Sequence, residues 1–186
     1  MAEAAVRIAR PDDVDEITEI QARTWRFAYA KVLPEAVLAE LDTEAARSDW
    51  ADALAGGAAE VHVATEGDWT VGFCAAGHAP ESEVADANGA LPADAATIGL
   101  IATLLVEPRW ARRGHGGRLL HAAATGLRNA GATRGIAWLP EADTASRKFY
   151  TRAGWAEDGT VRVLDAGGTP VRELRVTGPL TVTLQD

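Results

Sequence analysis

The chain has 186 residues, 47% hydrophobic and 24% charged, which suits one soluble domain (residues 1–186) and excludes a disordered chain. Its longest nearly apolar run, Ile98 to Val106, is too short to span a bilayer, and the first residues lack the basic and apolar blocks of a secretory signal, so a cytoplasmic protein is expected. A single cysteine, Cys74, excludes a disulfide framework and a cysteine-based zinc cluster, and the net charge of −9 argues against nucleic acid as a partner.

Val6 to Ile8 reads as a short first strand. Pro11-Asp12-Asp13 opens a helix, with Asp12 as its expected N-cap and Val14, Ile17, Ile20 and Phe27 on its apolar side. Trp25 lies at the edge of that stripe. A second helical stretch runs from Pro34 to Leu54, broken near Asp42-Thr43 and ended by Gly56-Gly57. Val61 to Thr65 and Thr70 to Ala76 form a hairpin around Glu66-Gly67-Asp68. Cys74 reads as a small buried hydrophobe within it. The stretch from Pro80 to Ala96 is rich in Ala, Asp, Glu and Pro, and its length predicts a functional loop or local disorder. Thr97 to Val106 is a continuous apolar strand, the pattern of burial on both faces. After Pro108 and a glycine-rich turn, a helix carries Leu119, Leu120, Ala123, Ala124 and Leu127 on one face, and Gly131 closes it. Gly135 to Leu139 is a further buried strand. Asp143 to Ala153 is a helix ended by Gly154, and strands near Val161 to Leu164 and Val171 to Val176 flank a last turn. The order β-α-α-β-β-β-α-β-α-β-β indicates an α/β fold, a mixed sheet with helices on both faces.

Charge is unevenly spread. Between Arg109 and Arg152 nine basic residues face only Glu141 and Asp143, a net +7, which leaves −16 for the rest of the chain. This suggests a local site for an anionic ligand, or else two solvated helix faces. Within that window, Arg112-Arg113-Gly114-His115-Gly116-Gly117-Arg118 hands a buried strand over to a helix. Glycines allow close backbone approach, and the free N–H groups of a helix start bind anions. A Walker loop is excluded, because Lys31 and Lys148 are the only lysines and neither follows glycine. A dinucleotide fingerprint is excluded by Leu119, where the third glycine would stand.

Leu104-Leu105-Val106-Glu107-Pro108 with the turn after it resembles the acetyl-coenzyme A motif of the GCN5-related N-acetyltransferase (GNAT) family. Asp143-Thr144-Ala145-Ser146-Arg147-Lys148-Phe149-Tyr150, ending at Gly154-Trp155, resembles the family's second motif, with 36 residues from Gly114 to Tyr150. Trp25, Tyr29, Leu33-Pro34, Leu38 and Trp50 are similar to one bacterial branch. The resemblance implies a mostly antiparallel mixed sheet with a central splayed parallel pair of strands. It also implies direct transfer of acetyl from acetyl-coenzyme A to an amine of a small molecule or peptide, in a ternary complex. By the same resemblance, backbone groups of Leu104, Leu105 and Val106 would bond the pantetheine arm. Amides from Arg112 and Arg113 through Gly114, His115, Gly116 and Gly117 would hold the pyrophosphate, and Asp143 and Ser146 would border the coenzyme. Tyr150 would be the general acid at the coenzyme sulfur. Trp25 and Tyr29 would line the acceptor pocket, though Trp25 reads equally as core.

Three positions depart from the family pattern. Ala111 stands where Gln or Arg is usual, Asp143 replaces Asn and reads as an N-cap, and Leu100 stands where many relatives carry a glutamate. The acceptor ammonium must still lose a proton. His62, His78, Glu60, Glu107 or a water chain could take it, each side chain reading also as an exposed strand-end residue. His115 is expected to point to solvent beside the turn, and His121 to be a surface residue. No metal is expected. The surplus acid, including Glu81, Glu83, Asp86 and Asp94, suggests a cationic amine as partner, with a monomer or homodimer as the assembly. The rival readings are a coenzyme-binding module without catalysis and a transferase for another acyl group.

Overall fold

The computed structural model describes residues 3–182. Seven strands, β1 (Ala4–Ile8), β2 (Ala59–Glu66), β3 (Trp69–His78), β4 (Ile98–Val106), β5 (Arg134–Pro140), β6 (Ala156–Ala166) and β7 (Thr169–Gly178), form one sheet in the order β1-β2-β3-β4-β5-β7-β6. Every neighbouring pair is antiparallel except β4 and β5. The helices are α1 (Val14–Tyr29), α2 (Glu35–Ala39), α3 (Glu44–Gly56), α4 (Glu81–Val84), α5 (His115–Asn129) and α6 (Thr144–Arg152). Among the described residues no helix is long and apolar enough to cross a membrane.

The apolar stripe of α5 (Leu119, Leu120, Ala123, Ala124, Leu127) packs with Tyr150 of α6, Trp155 and the strand residues Cys74, Ile101 and Ala137 on one face. On the other, Ile17 and Ile20 of α1 pack with Val61, Val63 and Phe73, and Trp50 of α3 closes edge-on over Phe73. Phe27 departs from expectation: it is 75% exposed, and the buried side of α1 ends at Ala22 and Thr24. Asp12 is exposed too. Asp13 is the acid that anchors the helix start, taking two 2.7 Å bonds from Arg7 and the Arg10 N–H at 2.6 Å.

The Arg7 guanidinium is the main cause holding the Asp13 carboxyl below its usual range, against an opposing effect of burial. A depressed carboxylate pKa contributes stability above the unfolded value of about 3.9 and loses it as pH falls through the folded value. Asp13→Asn is therefore expected to lower the melting temperature at pH 7. The gap between variant and wild type should narrow below about pH 4, as read by thermal melts across pH.

Trp155 fills the space beside Gly135 and Gly178 and donates its indole N–H to the Pro179 carbonyl at 3.1 Å. A Cβ at Gly178 would collide with the indole itself. Gly178→Ala should cost about 1–3 kcal/mol, measured by denaturant unfolding.

The stretch after β3 is folded. Val84 is buried against Ile98 and Ile136, Arg175 donates to the carbonyls of Glu83 and Ala85, and Asp94 pairs with Arg134 at 2.6 Å. Its length comes from wrapping one end of the sheet. Three of its four acids are engaged: Glu83 with Arg162, Asp94 with Arg134, and Asp86 with the Asn88 and Ala90 amides.

Candidate active site

The site starts from a failure of strand pairing. β4 and β5 are joined only through Ile98–Leu100 and Arg134–Ile136. Beyond Leu100 the β3–β4 register shifts, so that Ala75 and Ala76 face Thr103 and Ile101, and Ala102 is the extra residue. Such a bulge bends and twists its strand, and the pairing with β5 ends just before it, at Leu100. The second half of β4 is consequently open, with Ala102 exposed and Thr103 to Val106 half-buried, in place of the burial on both faces that its composition predicts. Leu104, Leu105 and Val106 thus lie on the open side of a gap between two strands that point the same way.

At the end of β4 the chain turns into α5. Arg112 has φ of +63° and Gly114 of +82°, left-handed conformations that let two sharp reversals follow each other. Six backbone N–H groups, from Arg112 to Gly117, have no intramolecular acceptor among the described residues; the first closed bond is Arg118 N–H to the Gly114 carbonyl. Gly116 lies against α6: a Cβ there would sit 3.3 Å from Phe149 and 3.9 Å from Leu104. A groove of about 630 Å³, bordered by Gly114, Gly117, Arg118 and Ala4–Val6, opens beside this turn.

The basic window does not gather into one patch. Arg109 pairs with Glu107, Arg113 with Glu66, Arg134 with Asp94 and Arg147 with Glu157. Arg112 and Arg118, both exposed, are the guanidinium groups at the turn without an acidic partner among the described residues.

Asp143 caps α6, accepting from the Ser146 N–H at 2.9 Å and the Ser146 hydroxyl at 2.7 Å. The Tyr29 hydroxyl donates to the same carboxylate at 2.7 Å, and Trp25 stands edge-on to Tyr29 with ring centroids 5.4 Å apart. α1 lies over β3 and β4, while Asp143 follows β5, so this bond bridges the two sides of the gap. Burial first, then the Asp143 carboxylate, raises the Tyr29 phenol well above its ordinary range. Glu173 of β7, bonded to Arg162 at 2.6 Å, adds its charge to that push. Nothing in the sequence singles Glu173 out.

Tyr150 is 3% exposed, packed between Phe149 and Trp155, and its hydroxyl has no hydrogen-bond partner among the described residues. Burial raises its phenol well above the usual range, with Cys74 as the lesser cause. Burial also pushes the Cys74 thiol up to about 12, so it stays an unreactive thiol.

The sequence-derived bases are committed elsewhere. Glu107 is buried at 3% exposure and locked between Arg23 of α1 and Arg109, not exposed at a strand end. His62 is buried too, its imidazole pKa lowered by burial, and it turns with Glu60 toward α5. His78 meets the Ala96 carbonyl, near the start of β4. His115, expected in solvent, is 1% exposed and bonded to Glu66 at 2.8 Å. His121 is exposed, as its helix position predicts.

A mixed sheet with a splayed parallel pair, opening onto a helix start whose N–H groups have no acceptor among the described residues, is the architecture of this chain. The sequence pattern of the Acetyltransferase (GNAT) family matches residues 14–155, and the chain belongs to that family. No curated protein matches the sequence. Among solved structures, the fold is similar to a GCN5-related N-acetyltransferase from Rhodopseudomonas palustris (19% identity, TM-score 0.70, 96% of this chain and 97% of that one). It is similar also to YncA from Salmonella typhimurium with its cofactor acetyl-CoA (16%, TM-score 0.69, 100% and 98%). A third is the PaiA N-acetyltransferase from Thermoplasma acidophilum in complex with coenzyme A (13%, TM-score 0.67, 95% and 99%).

Proposed function

We propose that this protein transfers an acetyl group directly from acetyl-coenzyme A to an amine. The observation that carries the reading is the run of six N–H groups from Arg112 to Gly117, unpaired among the described residues, at the mouth of the β4–β5 gap. A pyrophosphate satisfies such amides with charge-assisted bonds and gains from the helix dipole. The pantetheine arm then lies in the gap against Leu104, Leu105 and Val106, where the missing pairing leaves strand groups to bond its amides. The adjoining groove has the volume for the nucleotide end.

The thioester then reaches the level of Tyr150, and the acceptor enters beside Trp25 and Tyr29. The carboxylates of Asp143 and Glu173 favour a cationic group there. An amine nitrogen attacks once its proton has passed to water, since His62, Glu60, Glu107 and His78 are held in other contacts. Tyr150 donates a hydrogen bond to the leaving sulfur.

Incubation with acetyl-coenzyme A and a panel of primary amines tests the reading by free thiol released. Amine-dependent release is the expected result, strongest for polyamines and other cations at low ionic strength. Tight coenzyme binding with no release for any amine would instead identify a coenzyme-binding module without catalysis.

A further inference from the structure

The last residue of β2, Glu66, lies 47 residues from Arg113 in sequence yet holds both flanks of the phosphate turn. One carboxylate oxygen accepts from the Arg113 guanidinium at 2.8 Å and the other bonds the His115 imidazole at 2.8 Å. Between these two residues sits Gly114, the left-handed N-cap of α5. The His115 side chain is fully sealed, and its Nδ1 has no hydrogen-bond partner among the described residues. Since a carboxylate only accepts, Nε2 carries the hydrogen that Glu66 receives. Arg113 is held a second time over the Trp110 ring, 4.8 Å from its centroid, and Arg118 donates to the Arg113 carbonyl at 3.1 Å.

We propose that Glu66 is a positioning residue, which presets the turn so that its six amides converge on the coenzyme pyrophosphate before the ligand arrives. The assignment rests on the coenzyme reading above. An acid so close to a polyanion site is otherwise hard to account for. By charge alone, deleting it would raise the local potential, free Arg113 for the phosphates and tighten binding. A clamp acts with the opposite sign, because without it the turn must be ordered at the moment of binding. The Glu66 carboxyl is held below its usual range, chiefly by the His115 bond and then by Arg113, so it remains an acceptor at neutral pH.

The sign of the effect decides, and calorimetry on the whole protein reads it. In Glu66→Ala the Kd for coenzyme A should rise about tenfold, while the weak affinity for pantetheine, which lacks the pyrophosphate, stays within about twofold of wild type. Glu66→Gln keeps one acceptor for two donors and should show a smaller rise, about threefold, again for coenzyme A only. If the alanine variant fails to fold, the glutamine variant alone decides by the same comparison of ligands. Unchanged or tighter coenzyme A binding would overturn the proposal, as would an equal loss for both ligands, which marks general damage. A wild-type protein with no affinity for coenzyme A would remove the coenzyme reading itself, and the clamp with it.

Discussion

Tyr150→Phe is expected to reduce turnover by at least about 10²-fold while coenzyme A affinity barely changes, when chemistry limits the rate. The leaving group is a thiolate whose conjugate acid titrates near about 8.5, and an ordinary phenol near about 10 is the weaker acid, so complete proton transfer is uphill by roughly 2 kcal/mol in water. Burial raises the Tyr150 phenol further. Complete transfer is therefore disfavoured, but the same burial keeps the O–H intact as a donor across the assay range. A donated hydrogen bond can strengthen as charge develops on sulfur, and it acts where water is scarce. The ring itself is packed against Phe149 and Trp155, and phenylalanine preserves that packing. If Tyr150 serves packing alone, the variant turns over normally; single-turnover kinetics with melting temperatures as control distinguish the two. The turnover of the wild type should also show no ionisation of Tyr150 below about pH 10.

Gly116→Val should lower coenzyme A affinity by at least about 10²-fold, with the fold retained. Hydrogen bonds to charged groups contribute about 1.5–3 kcal/mol each, so losing two of the turn's amides is enough. Phe149 stands 3.3 Å from the position of a new Cβ and blocks retreat on that side, so the branched side chain is driven toward the amides. Gly116 lies in the first turn of α5, where its backbone is helical and a side chain costs nothing in φ. Gly114 is the poorer choice, because its φ of +82° strains any other residue and mixes folding with binding. Calorimetry on a Gly116→Val protein that melts like the wild type is the measurement. Undiminished affinity would remove the phosphate role of the turn.

Much of the fold is legible because the forces that write it are local. The apolar stripe Leu119, Leu120, Ala123, Ala124 and Leu127 is a matter of helical spacing, and all five are buried where that spacing puts them. Gly57, Gly131, Gly154, Gly167 and Gly168 take the left-handed backbone that ends helices and closes the last hairpin. Asp143 caps its helix through Ser146, three residues on. The order of elements and the glycine turn after a buried strand follow from the same short-range rules; the family was legible through the resemblance of the Leu104–Gly117 and Asp143–Trp155 stretches to its two motifs.

The tertiary structure alone decided where the chain makes its long-range polar contacts. His115 looks like a solvent residue in a glycine turn, yet the end of β2 lies beside it and buries it on Glu66. Glu107 looks like a strand end, yet Arg23 of α1 and Arg109 close over it. Phe27 has the spacing of a core residue but lies beyond Thr24, the last buried position of α1, and Asp13 displaces Asp12 because Arg7 reaches it. The pairing of β4 with β5 ends beside a bulge at one extra residue, Ala102, which carries no chemical signal. Periodicity and backbone preference act over a few residues and can be read along the chain. Ion pairs, bulge positions and strand separation depend on which distant segments meet, and those are settled only when the sheet has assembled.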